Sequence, residues 1–130
     1  MHTDPIADLI NRIKIANQKG HKTMSVPHSK MKESVLAALK KEGFITDFAK
    51  KGKKVQKTLD IDLAFVDGKP KIKSVIRMSK PSRRSYLGVR DIHPIRQGFG
   101  RMILTTPKGI LSDVDARKER VGGEPLFTIW

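Results

Sequence analysis

Residues 101–112 read Arg-Met-Ile-Leu-Thr-Thr-Pro-Lys-Gly-Ile-Leu-Ser. An apolar run, Met102–Leu104, ends in two hydroxyls, Thr105 and Thr106, and a Pro-Lys-Gly turn follows at Pro107–Gly109. Proline presets φ at the first central position of a tight turn, and glycine tolerates the exit. The stretch therefore predicts a hairpin, with strands at Arg101–Thr106 and Gly109–Ser112 and Lys108 at the tip. Ser112-Asp-Val-Asp115 has the form of a capping box with aspartate in place of glutamate, and it predicts a helix through Arg120. Asp113 and Asp115 suit the positive end of that helix. Gly122 and Gly123 then leave room for another backbone to come close, because no side chain intervenes. A last strand, Pro125–Trp130, offers Leu126, Phe127, Ile129 and Trp130 to a core.

The amino-terminal part has a different pattern. Asp4 and Pro5 form an N-cap and first-turn proline, and Ile6, Leu9, Ile10 and Ile13 repeat at helical spacing until Gly20. Thr23–Val26 is a short strand stopped by Pro27. Ser29 caps a second helix through Lys41, with Met31, Val35, Ala38 and Leu39 as its buried stripe and Gly43 as its stop. Phe44–Ala49 reads as a strand, Lys50–Lys54 as a basic hairpin tip, and Val55–Val66 as an alternating strand with Leu59, Ile61, Leu63 and Phe65 on one side. Asp67-Gly68 is a turn, and Lys71–Met78 is expected as a third strand of the same meander. The result is an α+β protein of two small α/β lobes: an α-β-α-β-β-β lobe over 1–80 and a mostly β lobe with a short helix over 81–130. Between them, Pro81–Asp91 breaks the regularity, and one helical turn is expected over His93–Phe99.

The chain of 130 residues carries 27 Lys+Arg against 13 Asp+Glu, a net charge of +14. Such an excess repels itself in a compact fold, so a polyanionic partner is the natural explanation. Lysines dominate up to Lys80 and arginines from Pro81 onward, which suggests two styles of contact. No cysteine is present, so disulfides and thiolate metal sites are excluded, and this suits a reducing cytosol. No stretch of sequence reads as a secretory signal or a membrane span, and a soluble intracellular protein is expected.

An enzyme requires a poised constellation, and none assembles. His2, His21, His28 and His93 lack metal-ligand spacing. Asp60 and Asp62 share one side of a strand, as a metal-dependent nuclease would need, but two carboxylates on the solvent face of a half-buried sheet account for them better. Neither a cofactor nor a metal is expected. Binding of nucleic acid remains. Thr105, Thr106 and Lys108 would meet phosphates, riboses and base edges. Glu124, unexpected beside an anion, would accept hydrogen bonds from base amino or imino groups or a ribose hydroxyl. Tyr86 can stack on an exposed base, or simply anchor the connection between lobes. Arg83 and Arg84 flank it, and Lys30 and Lys32 sit at the start of the second helix, where a bound phosphate would offset their conflict with the helix dipole. Hydroxyls, glycines and a carboxylate on irregular chain favour RNA over DNA. A general nucleic-acid chaperone or nucleoid-type protein is the alternative, and an ordinary turn and an ordinary glycine loop would use these same residues.

In combination and order, the motifs resemble one family along essentially the whole chain. Asp-Pro-Ile-Ala-Asp-Leu-Ile-Asn-Arg-Ile at 4–13, Glu-Gly-Phe-Ile at 42–45, Ser-Lys-Pro at 79–81, Thr-Thr-Pro-Lys-Gly-Ile-Leu-Ser-Asp at 105–113, Ala-Arg at 116–117 and Gly-Gly-Glu at 122–124 are similar to bacterial small-subunit ribosomal protein eight. The resemblance implies a cytoplasmic, non-catalytic constituent of the ribosome. It would bind the central domain of 16S ribosomal RNA early in assembly, help build the 30S platform, lie beside small-subunit protein five and repress its own messenger RNA. It also implies RNA contacts at Thr105, Thr106, Lys108, Gly122, Gly123, Glu124 and Tyr86, with a secondary contact at Ser29 and Lys30. Two departures stand out. Pro107 replaces a serine usual in that signature and has neither hydroxyl nor N–H, and Asp115 replaces a usual glutamate.

Overall fold

The computed structural model describes residues 5–52, 57–78 and 85–130. The chain divides into two compact units, Met1–Lys73 and Ser74–Trp130. The boundary between these units falls after Lys73, whereas the two lobes are expected over 1–80 and 81–130.

In the first unit, helix α1 (Pro5–Gln18) buries Ile6, Leu9, Ile10, Ile13 and Ala16, the face expected from their spacing. Its expected cap, Asp4, lies outside the described residues. Strand β1 (Thr23–Pro27) leads to helix α2 (Lys30–Lys41), whose N-cap Ser29 accepts a hydrogen bond from the Lys32 N–H. The chain leaves α2 through Gly43 at φ +84°. Strands β2 (Ile45–Lys51) and β3 (Thr58–Leu63) complete an antiparallel sheet in the order β1-β3-β2. Leu59, Ile61 and Leu63 point into the core, as alternation requires. The part of the basic tip at Lys53 and Lys54 lies outside the described residues. The strand expected to run through Val66 instead stops at Leu63. Phe65 then opens a separate two-residue hairpin, β4 (Phe65–Val66) with β5 (Lys69–Pro70). Asp67 and Gly68 turn it with φ of 52° and 76°, the two left-handed residues that match the twist of a tight hairpin.

In the second unit, β6 (Val75–Arg77), β7 (Arg101–Thr106), β8 (Gly109–Ser112) and β9 (Glu124–Ile129) form an antiparallel sheet in the order β6-β9-β7-β8. The segment expected as a third strand of the first meander is therefore reassigned. Val75, Ile76 and Arg77 pair with Ile129, Thr128 and Phe127, and Ser74 and Trp130 exchange both backbone hydrogen bonds. An apolar alternation fixes which side a strand buries but not which strand it joins. Helix α3 (Asp113–Glu119) is capped by Ser112, whose side chain accepts from the Asp115 N–H at 3.2 Å. It ends one residue earlier than expected, with Arg120 in the left-handed region at φ 56°. Ala116 packs with Met102, Leu104 and Ile92 in one apolar cluster. The helical turn expected over His93–Phe99 is present as a single short 3-10 turn, Arg96–Gly98, with left-handed backbone that makes it a tight reversal. Arg96, Gln97 and Gly98 all have positive φ, and Ile95 bridges Gly100.

The charges inside the first unit are paired. Lys32 is 5% exposed, and its Nζ donates to Asp8 Oδ2 at 2.7 Å and to the Pro27 carbonyl at 3.2 Å. The Lys32 hydrogen bond, with help from Arg12, holds the Asp8 carboxyl below its ordinary value despite partial burial. A carboxylate with a depressed folded pKa contributes stability above its unfolded pKa and loses that contribution as pH falls through the folded value. The Asp8–Lys32 pair should therefore support the fold at neutral pH and cease to do so as acid carries the solution below about pH 4. Lys32→Ala is expected to lower stability to urea by roughly 1–2 kcal/mol, discounted because Asp8 is partly solvated. Asp8→Asn should flatten the acid limb of the stability curve, and an unchanged limb would show that the pair contributes nothing.

Candidate nucleic-acid interface

The end of the second sheet is built around Gly122 and Gly123. Leu87 and Gly123 exchange two backbone hydrogen bonds of 2.9 Å. A β-carbon on Gly123 would lie 2.2 Å from the Thr105 carbonyl oxygen, and one on Gly122 would lie 2.3 Å from that of Leu87. The close approach that the glycine pair permits is thus made by the protein's own backbone. The pair places Glu124, the first residue of β9, directly across from Thr105, the fifth of β7. Thr105 is exposed and Glu124 half-buried. Tyr86, next to Leu87, is 69% exposed. Thr105, Glu124 and Tyr86 therefore gather at one corner of the sheet, whose position is set by backbone hydrogen bonds rather than by a loop.

The hairpin tip uses much of its polar capacity on itself. Thr106 is buried, its Oγ1 donates to the Gly109 carbonyl at 2.7 Å, and it accepts from the Lys108 N–H at 3.1 Å. Its hydroxyl is therefore a turn fastener, engaged both as donor and as acceptor inside the hairpin. Pro107 is exposed and has no N–H, and the Lys108 N–H is taken by Thr106. The tip therefore presents a side-chain cation and an apolar ring. The Lys108 side chain is 54% exposed, and its Nζ lies 3.0 Å from Glu119 Oε2. This surface pair is a weak hold that a phosphate can replace.

Toward the other end of β7, Asp113 is 1% exposed. One carboxylate oxygen accepts from the Met102 N–H at 3.0 Å and the other from Arg117 at 2.9 Å. Both oxygens are thereby satisfied, and β7 is tied to α3. An aspartate just inside a serine cap is the signal of a helix start. Its use as an inter-element tie was not readable from that signal.

The other predicted residues belong to the first unit or fall outside the description. Arg83 and Arg84 lie outside the described residues. Lys30 is exposed beside the start of α2. Ser29 is there too, with its side-chain oxygen engaged as the cap. Lys32 is buried, and its ammonium is bonded to Asp8 and the Pro27 carbonyl. Around this helix start, His28 Nε2 lies 2.9 Å from Glu33 Oε2, and the His28 N–H donates to the Lys57 carbonyl. The Glu33 carboxyl is held below its ordinary value, first by the His28 hydrogen bond and then by the charges of Lys50, His28 and Lys57. Lys50 and Lys57 are thus brought to the same place as Lys30 by the β2–β3 pairing. Asp60, by contrast, is engaged by Ser25 at 3.0 Å, Thr58 at 3.5 Å and Lys51 at 3.5 Å. Among the described residues, no group of three or more His, Asp or Glu could hold a metal, and no helix is long and apolar enough to cross a membrane.

Comparison with known proteins gives one consistent result. The family model described as Ribosomal protein S8 matches residues 4–130. The chain is 47% identical over 130 residues to the Small ribosomal subunit protein uS8 of Oleidesulfovibrio alaskensis, covering 100% of both chains. It is 44% identical over 128 residues to the protein of the same name from Ruegeria pomeroyi, covering 98% of each. It is 43% identical over 129 residues to that of Mycoplasmopsis synoviae, again covering 98% of each.

The glycine geometry has a direct consequence. Gly123→Ala should destabilise the protein by roughly 1–3 kcal/mol, because a backbone carbonyl cannot move aside as a flexible side chain can. Thr106→Val should cost about 1–2 kcal/mol by leaving the turn's polar groups without their fastener. Thermal and urea unfolding would measure both, and wild-type stability in either variant would contradict the packing described.

Proposed function

Because the chain belongs to the Ribosomal protein S8 family, whose members are structural constituents of the ribosome and not enzymes, we propose that it binds the central domain of 16S ribosomal RNA. The contact would be made through the corner formed by Thr105, Glu124, Tyr86 and Lys108, and it would help to assemble the 30S platform. The observation that carries this reading is the fixed juxtaposition of Thr105 and Glu124 across two paired strands. A hydroxyl and a carboxylate held face to face on a rigid edge can match donors and acceptors of an irregular RNA surface without first losing conformational freedom. Lys108 adds phosphate attraction and Tyr86 a stacking face. Lys30, with Lys50 and Lys57 near the start of α2, supplies a second phosphate contact, and the net charge of +14 strengthens association at long range. Contacts with small-subunit protein five, and repression of its own messenger RNA where that message folds to the same contour, belong to the same proposal.

Thr105→Ala, Lys108→Ala and Glu124→Ala should each weaken binding to a central-domain RNA fragment by roughly 1–3 kcal/mol, and Lys108→Ala should also reduce the salt slope by about 1. The substitution of Glu124 is the discriminating one. Removing a negative charge would strengthen binding that was merely electrostatic, so a loss of affinity identifies specific recognition. Unchanged affinity for Lys108→Ala and Glu124→Ala together would dismiss the corner as the binding surface. Equal affinity for duplex DNA in competition would favour a general nucleic-acid binder.

A further inference from the structure

The opposite end of the second sheet carries a feature that the corner does not use. Phe99 is 83% exposed, the most exposed large hydrophobic side chain among the described residues. It stands at the tip of the reversal that joins Ile95 to Gly100. The reversal is firmly built. Arg96, Gln97 and Gly98 have φ of 48°, 57° and 95°. Left-handed backbone is strained for the first two, which carry a β-carbon, and it persists only where surrounding contacts over-determine it. Those contacts are present. Arg101 donates from one nitrogen to the carbonyls of Gly98 at 2.7 Å and Gly100 at 2.8 Å, one on each side of Phe99. The Arg96 guanidinium lies over the Trp130 ring, 3.9 Å from its centre. Gly100 fits against Ile95, the Ile129 carbonyl and Trp130 with no space for a β-carbon. An apolar ring is thus projected into water on a preorganised support.

This end is distinct from the corner. Strand β9 runs from Glu124, beside Thr105, to Ile129, beside Arg101. At about 3.3 Å per residue, its ends are roughly 17 Å apart. The charged groups at this end are Arg96 and Arg101, and the buried Asp113 carboxylate beside Met102 is already paired with Arg117.

We propose that Phe99 is a second RNA-binding site, at which an unpaired base of ribosomal RNA stacks on the phenyl ring and the adjoining phosphate meets the edge of the Arg96 guanidinium. Arg96 is exposed where its guanidinium lies over the Trp130 ring, and its N–H groups remain within reach of a phosphate. No hydrogen bond from them is formed among the described residues. Charge complementarity decides the occupant. A flat apolar surface ringed by arginine suits a nucleobase joined to phosphate, whereas a basic neighbouring protein would be repelled. This assignment shares with the proposed function only the premise that ribosomal RNA is the ligand; it does not depend on the corner.

The test is chemical probing of full-length small-subunit ribosomal RNA bound to the full chain, with reagents that report unpaired bases. Phe99→Ala should expose at least one nucleotide that the wild type protects and that Thr105→Ala and Glu124→Ala leave protected. The affinity for this RNA should fall roughly fivefold to a hundredfold. Phe99→Trp should restore protection, and Phe99→Leu, apolar but without a π face, should not. Arg96→Gln should weaken the same protection. Phe99 is exposed, so its substitutions should leave thermal unfolding unchanged. Protection that survives Phe99→Ala, or is fully restored by leucine, overturns the proposal. So does loss of a crosslink to a neighbouring ribosomal protein with no change in RNA reactivity, which would make the ring a protein contact. Loss of protection at Phe99 with none from Thr105 or Glu124 would retain this site and refute the corner.

Discussion

Three stretches of backbone, around Leu87, Thr105 and Gly123, meet at distances that leave no space for a β-carbon. This approach is the constraint on which the second unit depends. Each of Gly122 and Gly123 has a carbonyl oxygen in the place its side chain would occupy, and the Leu87–Gly123 bridge closes the sheet end with two hydrogen bonds. Glycine gives up more conformational entropy on folding than other residues. Here that cost is offset by fixing β9 against β7 in a single register, so that Glu124 falls opposite Thr105. A corner made of main chain is stiffer than one made of side chains, and stiffness suits a surface that recognises shape.

Charge has two roles in this molecule. The chain carries a cationic excess of 14. Part of its charge is withdrawn into the fold: Lys32 with Asp8, and Asp113 with Arg117 and the Met102 N–H. Buried ions are stable only when paired and hydrogen-bonded. Each of these links joins elements that would otherwise touch only through apolar contacts. Lys32 ties α2 to α1, and Asp113 ties α3 to β7. Between these extremes is Lys108, whose surface pairing with Glu119 is loose enough to be exchanged for phosphate.

The tip of the hairpin illustrates how little of a polar sequence need face outward. Thr105 and Thr106 are chemically identical and adjacent, yet alternation along β7 exposes the first and buries the second. Thr106 spends its hydroxyl on the turn, and Pro107 brings no donor at all. The polar groups this stretch leaves at the surface are those of Thr105 and Lys108, with Glu124 across the sheet.

The sequence alone determined the local features: the apolar faces of α1 and α2, the serine caps at Ser29 and Ser112, the Asp67-Gly68 and Pro107-Lys108 turns, the motif order that marks the family, and the α+β class. Each arises from residues a few positions apart, and backbone geometry acts at that range. Tertiary structure alone decided that β6 pairs with β9, that Lys32 is buried, that Thr106 fastens a turn, that the glycine pair admits the protein's own chain, and that Phe99 stands out on a strained reversal. Strand partners and the fate of a single polar atom depend on residues distant in the chain. Periodicity specifies a face to be covered, and only the assembled fold specifies what covers it.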